Sequence, residues 1–235
     1  MSMSDVGKDA IVIVSAARTA LGGFQGVLSA VSGPELGARA LSGAVDRASL
    51  GAGEVDEVFM GCVLPAGVGQ APARQAALRG GLENSVPATT INKVCGSGMK
   101  TVMLAADALA MGRAGVVVAG GMESMSNAPY LLPNARGGMR LGHGAAKDHM
   151  FLDGLEDAYE GRLMGTYAED TAQHYQFSRE AQDEYALTSL ARAKMATEDG
   201  SFAPEIVPVT IKGRKGETLV EQDEQPLSAR PDKIP

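Results

Sequence analysis

Cysteine is scarce in this chain. There are two, Cys62 and Cys95, both in otherwise apolar surroundings, and such a pair provides no disulfide framework, which fits a reducing compartment. Histidine is limited to His143, His149 and His174. The first two share a glycine-rich stretch with no paired cysteines and no His-Glu pattern, so no metal is expected. No dense Lys/Arg run occurs, and the formal net charge is -7, which argues against nucleic acid as a partner. No apolar run approaches the roughly 18 residues of a membrane span. The polar start, Met1 to Asp9, lacks an apolar core with a cleavage site. A cytoplasmic protein with no membrane partner is the expectation. No internal repeat is visible.

What the chain does contain is ordinary globular material, 45% apolar and 21% charged over 235 residues, enough for one large domain or two small ones. Ile11-Val12-Ile13-Val14 is an unbroken β-branched run, as expected for a strand covered on both faces, and Val116-Val117-Val118-Ala119 reads the same way. Between them Gly33-Pro34 opens a helix whose apolar face is Leu36, Ala40, Leu41, Ala44, Val45 and Ala48. Val55 to Val63 reads as a strand, Pro72 to Leu82 as a helix, Ala88 to Asn92 as a strand, and Gly98 to Met111 as a helix with so few polar positions that burial on nearly every side is expected. This alternation predicts an α/β layered fold with a mainly parallel sheet and helices.

After Gly121 the character changes. Ser126 to Gly161 holds glycines, Pro129, Pro133 and several methionines with little periodicity, an irregular insertion on which His143 and His149 would be exposed. Helix returns over Arg162 to Tyr175, with His174 on its surface, and over Ser178 to Asp199, with Ser178 as N-cap and Gly200 as its stop. Ile206 to Ile211 and Thr218 to Glu221, joined across Gly213-Arg214-Lys215-Gly216, predict a hairpin. Neither that turn nor Gly67-Val68-Gly69 has the glycine spacing or lysine-hydroxyl ending of a phosphate loop.

The position that stands out is Cys95, in Ile91-Asn92-Lys93-Val94-Cys95-Gly96-Ser97-Gly98-Met99, where a strand stops and a helix begins. Free N–H groups at a helix start would stabilise a sulfur anion, and Gly96 and Gly98 would admit a close approach. Such a cysteine is either a nucleophile or a small buried hydrophobe. Cys62 reads as a buried strand-end residue.

The stretch around Cys95 resembles the active-site cysteine signature of the thiolases, enzymes that make or cleave 3-ketoacyl thioesters of coenzyme A. Other matching segments are Ala16-Ala17-Arg18-Thr19 with Gly22-Gly23-Phe24, Gly61 to Gln75, Gly120-Gly121-Met122-Glu123-Ser124-Met125-Ser126, Leu163 to Glu169, and Ser178 to Tyr185. The resemblance spans essentially the whole chain. It implies a layered thiolase-like fold, with residues 1–121 an incomplete N-terminal α/β domain and residues 122–235 an inserted loop domain. Thiolases are longer, with two similar halves. The later motifs that supply an asparagine, a histidine and a second cysteine are not found in these residues, so the chain is expected to be the nucleophile-bearing half, with uncovered apolar surfaces and no carbon–carbon bond formation by itself.

The resemblance further implies that Cys95 is acylated from acyl-CoA, and that the acyl group then passes to or from a carbon nucleophile, as in making acetoacetyl-CoA from two acetyl-CoA. The Cys95 backbone N–H would belong to an oxyanion hole. Coenzyme A is then substrate, with no permanently bound cofactor. Met164 would form an apolar wall for its pantetheine arm, and Arg230 and Lys233 correspond to basic residues that meet its nucleotide end, an ordinary solvated surface charge being the competing reading. Leu163 stands where many relatives have histidine, so a short-chain preference does not follow. The basic stretch Asn134 to Gly154, with Arg136, Arg140 and Lys147, matches a loop that joins subunits, implying a homodimer or homotetramer. A non-catalytic CoA-binding or subunit-binding half of a split thiolase is the alternative. A ketosynthase of the same broad fold fits less well, because of Gly120 to Ser126 and the loop domain.

Overall fold

A computed structural model of the chain describes residues 10–214 and 216–234. The leader reading of Met1 to Asp9, and Lys215 of the basic turn, lie outside the described residues. The chain forms two compact units. The first comprises the described residues up to Arg18 together with Gly33–Val63 and Gln70–Glu123; the second comprises Thr19–Ser32, Leu64–Gly69 and the described residues from Ser124 onward.

In the first unit helices and strands alternate: α1 (Gly33–Arg47), β1 (Glu57–Gly61), α2 (Pro72–Arg79), β2 (Ala88–Ile91), α3 (Ser97–Ala110) and β3 (Val117–Gly121). The strands form one parallel sheet in the order β2-β1-β3, with Val58 opposite Ala88 on one side and Val118 on the other. Parallel neighbours need long crossovers, which the helices provide. This is the α/β pattern that the sequence predicts.

Along β1 the side chains alternate between faces. Val58, Met60 and the following Cys62 join Leu41 and Val45 of α1 and Ala73, Ala76 and Ala77 of α2 in one core. Phe59 packs with Ala105 and Ala108 of α3 in another. Pro34 sits in the first turn of α1, where its missing N–H costs nothing. Asp56 accepts from the backbone N–H groups of Gly115 at 2.7 Å and Val116 at 2.9 Å. These two donors hold its carboxyl below the usual carboxylate range.

Two expectations are corrected here. Helix α3 buries a single stripe, Ser97, Thr101, Ala105 and Ala108, while Met99 is 75% exposed and Val102, Met103 and Met111 are also exposed. Small residues at this spacing meet the sheet and Leu104 is partly buried beside them, while the face that carries Met99, Val102 and Met103 is exposed. Ile11 to Val14 form no strand among the described residues, and Ile13 is 81% exposed. A β-branched run becomes a strand only where a neighbour takes its backbone hydrogen bonds, and none of the three sheet strands pairs with it.

The second unit is less regular. Strands β4 (Tyr130–Leu131) and β5 (Lys147–Asp148) pair antiparallel, followed by a π-helical turn over Phe151–Leu155, helices α4 (Met164–His174) and α5 (Arg179–Glu198), the hairpin β6 (Val209–Gly213) and β7 (Gly216–Val220), and the short helix α6 (Glu224–Ser228). The Ser178 hydroxyl caps α5 by accepting from Ala181 N–H at 3.1 Å. Ile211 faces Thr218 across the hairpin. Between β4 and β5 the basic loop projects Arg136, Arg140 and Leu141, all exposed.

His149 is a further correction. It is 4% exposed, because its backbone N–H is bonded to Pro129 at 3.1 Å and its ring is held at both nitrogens. Nε2 accepts from Ala66 N–H at 3.3 Å, so the ring proton sits on Nδ1, 2.5 Å from Asp153 Oδ2. His143 and His174 are exposed, as expected. The segment from Thr19 to Ser32 is tied into this unit by two consecutive carboxylates. Asp223 Oδ1 accepts from Leu21 N–H at 2.8 Å, and Glu224 Oε2 accepts from Gly23 at 2.8 Å and Val27 at 3.0 Å.

Candidate active site

The end of β2 and the start of α3 are joined by a tight elbow. Asn92 Oδ1 accepts from Val94 N–H at 2.9 Å. The Ser97 hydroxyl accepts from Lys93 N–H at 2.9 Å and donates to the Val94 carbonyl at 2.6 Å. Gly96 N–H and Ser97 N–H return to the carbonyls of Lys93 and Val94 at 3.1 and 3.0 Å. Within this turn Val94 has φ +47°, a left-handed conformation that is a genuine outlier for a β-branched residue. The next residue, Cys95, is exposed. Among the described residues no hydrogen-bond partner meets its thiol or its backbone N–H.

Below the elbow, α3 lies close against the sheet. A Cβ on Gly61 would come within 2.7 Å of Ser97 Cβ and 3.0 Å of Gly98 N, and one on Gly121 within 3.5 Å of Gly98 Cα. Glycine at the end of β1 is what lets the helix start sit there, whereas a Cβ at the end of β3 would make only ordinary contact. One turn on, Thr101 is fully buried, and its hydroxyl lies 2.6 Å from the Gly98 carbonyl and 2.9 Å from the Gly120 carbonyl. The elbow is therefore held from both sides, with the cysteine presented outward.

The family model of the thiolase N-terminal domain matches residues 11–232. This chain belongs to the thiolase family. Among curated relatives, it is 51% identical to an acetyl-CoA acetyltransferase of Pseudomonas aeruginosa, over 92% of this chain and 55% of that protein. It is 53% identical to one of Cupriavidus necator, over 89% and 53%, and 47% identical to one of Saccharomyces cerevisiae, over 95% and 57%. The chain thus spans about half the length of the thiolases it matches.

In this thiolase chain the other sequence-derived candidates lie in the second unit. Met164 is the half-exposed first residue of α4, a helix start braced by the Thr166 hydroxyl, which donates to the Leu163 carbonyl at 2.7 Å. Arg230 and Lys233 are exposed on either side of Asp232, with Arg230 Nη2 3.9 Å from the Asp232 carboxylate. Cys62 is buried, its sulfur 3.6 Å from Glu123 Oε1, while Glu123 Oε2 accepts from Val63 N–H at 2.8 Å. That agrees with its reading as a strand-end residue. Among the described residues no group of three or more His, Cys, Asp and Glu side chains is placed to hold a metal, and no helix is long and apolar enough to cross a membrane.

Sequence reasoning singled out Cys95 but passed over Asn92, Ser97 and Thr101, which build its surroundings. The signal was present. Two hydroxyl residues, two and six positions after the cysteine, stand one turn apart on the stripe that faces the sheet.

Proposed function

We propose that this chain is the nucleophile-bearing part of a thiolase-family acyltransferase that forms or cleaves 3-ketoacyl-CoA, with Cys95 as the residue that carries the acyl group. The observation that carries this reading is the exposed Cys95 thiol on a rigid elbow, beside its own unpaired N–H. In the first step Cys95 sulfur bonds the thioester carbon of an acyl-CoA, the bond from that carbon to the CoA sulfur breaks, and the CoA thiolate leaves and takes up a proton. A thiolate suits both directions, because its thioester stays activated enough for a second nucleophile to open. The N–H of Cys95 donates to the oxygen on which negative charge develops.

Removing a proton from the carbon beside a thioester needs a general base. Among the described residues no imidazole or carboxylate bonds the Cys95 thiol, so these 235 residues are expected to take up an acyl group without catalysing carbon–carbon bond formation. Coenzyme A enters this reading as substrate. Met164 is the candidate apolar contact for its pantetheine arm, and Arg230 and Lys233 for its phosphates, within a loop domain running from residue 122 to 235. The exposed Met99, Met103 and Ile13 support a homodimer or homotetramer that covers them.

The test is incubation of the purified chain with acetyl-CoA, read by intact mass and peptide mapping, beside acetoacetyl-CoA thiolysis with free CoA. One acetyl group on Cys95, absent from Cys95→Ala, with no thiolysis, is the expected result. Acetylation that survives Cys95→Ala would overturn the assignment of the nucleophile. Thiolysis that depends on Cys95 would overturn the assignment of the base outside these residues.

A further inference from the structure

We infer that Ser97 is a positioning residue for Cys95, its hydroxyl holding Val94 in the left-handed conformation that aims the Cys95 N–H outward. The inference rests on the acyl-cysteine reading above and adds to it the group that sets the geometry. Both peptide planes flanking Val94 are pinned by side chains, the second with help from the Ser97 backbone N–H at 3.0 Å. The N–H of the preceding plane is bound by Asn92 Oδ1 at 2.9 Å, and the carbonyl of the following plane by Ser97 Oγ at 2.6 Å. Fixing those two planes fixes φ and ψ at the residue between them. Val94 itself is 49% exposed, so packing of its side chain does not impose the unfavourable backbone. The hydrogen bonds do.

The second of these planes is the Val94–Cys95 peptide. In a trans peptide the carbonyl and the N–H point in opposite directions, and no described peptide bond is cis. Drawing the Val94 carbonyl onto the buried Ser97 hydroxyl therefore turns the Cys95 N–H away from the helix, where it stays unpaired. Without the hydroxyl the carbonyl keeps only the longer bond from the Ser97 backbone N–H at 3.0 Å, so this peptide can rotate as Val94 relaxes to negative φ, and the donor moves. The thiol remains, but the oxygen of an acyl group bound to it loses its partner.

The test separates these two consequences and needs no recognition of CoA. Cys95 is acetylated with p-nitrophenyl acetate: its sulfur bonds the acetyl carbon, the ester C–O bond breaks, p-nitrophenolate leaves and the thiol proton passes to water. Alkylation of the same thiol by iodoacetamide builds up no oxyanion. Ser97→Ala is expected to slow acetylation by about tenfold or more, a fraction of the roughly 100- to 1,000-fold that deleting an oxyanion donor costs, while alkylation keeps its rate. Val94→Gly removes the left-handed strain, so in that background Ser97→Ala loses most of its effect. Equal acetylation by wild type and Ser97→Ala would overturn the inference, as would parallel loss of both reactions or an undiminished effect in the Val94→Gly background. If wild type is acetylated by the ester but not by acetyl-CoA, the proposed substrate fails and the positioning role stands. If neither reagent acetylates Cys95, both fail.

Discussion

The Thr101 hydroxyl lies 2.9 Å from the Gly120 carbonyl and so fastens helix α3 to strand β3 at a fully buried point. A valine there would keep the shape and lose the donor. Thr101→Val is expected to cost about 1–2 kcal/mol, a lost hydrogen bond at a site closed to water. Urea unfolding of the variant beside wild type measures it; an unchanged midpoint would show that the carbonyl finds another partner.

Gly61 makes room for the start of α3, since an added Cβ would stand 2.7 Å from Ser97 Cβ. Because the neighbouring atoms include the Gly98 backbone N, a side-chain rotation does not relieve the clash. Gly61→Ala is expected to destabilise by about 1–3 kcal/mol, the range for overpacking a tight site. It is also expected to slow Cys95 acetylation, because the elbow moves with the helix. Thermal melting and the p-nitrophenyl acetate rate are the two readouts.

His149 joins three segments, through Ala66, Pro129 and Asp153. His149→Ala leaves the partly buried Ala66 N–H without its acceptor, and the loss is expected to cost about 1 kcal/mol or more. Limited proteolysis should then cut within Leu64–Gly69 or the β4–β5 loop earlier than in wild type. An unchanged cleavage pattern would mean that Ala66 and Asp153 are held by other contacts.

Glu224 has its carboxyl held below the ordinary value of 4.5, chiefly by the N–H of Gly23 and then by that of Val27. A depressed carboxyl contributes stability that is fully present above its unfolded value and is lost as pH falls through its folded value. Wild type should therefore lose melting temperature on acidification below about 4.5. Glu224→Gln should melt lower at neutral pH and show a shallower acid limb. Parallel curves for the two proteins would remove Glu224 from this linkage.

Much of the architecture is legible in local pattern. Pro34 at the start of α1, Ser178 at the cap of α5 and the glycines bracketing the β6–β7 turn act through their own backbones, so short stretches report them. The same holds for Cys95, whose strand-to-helix junction is visible from its neighbours. His149 illustrates the opposite case. Its stretch of glycines and charges reads as exposed loop, yet the ring is buried, because Ala66 and Pro129 come from segments that are distant in sequence. Ile11 to Val14 fail in reverse. Their composition specifies a strand, but a strand's hydrogen bonds belong to its neighbour.

By itself, the sequence determined the alternation of helices and strands, the place of the cysteine at a helix start and the family to which the chain belongs. These follow from side-chain period, turn chemistry and residue identity, all local quantities. Only the tertiary structure decided that Ser97 and Thr101 face the sheet, and that α3 buries one stripe and exposes its methionines. Those features depend on which carbonyl or glycine from another strand stands opposite each side chain, and distance along the chain does not encode that.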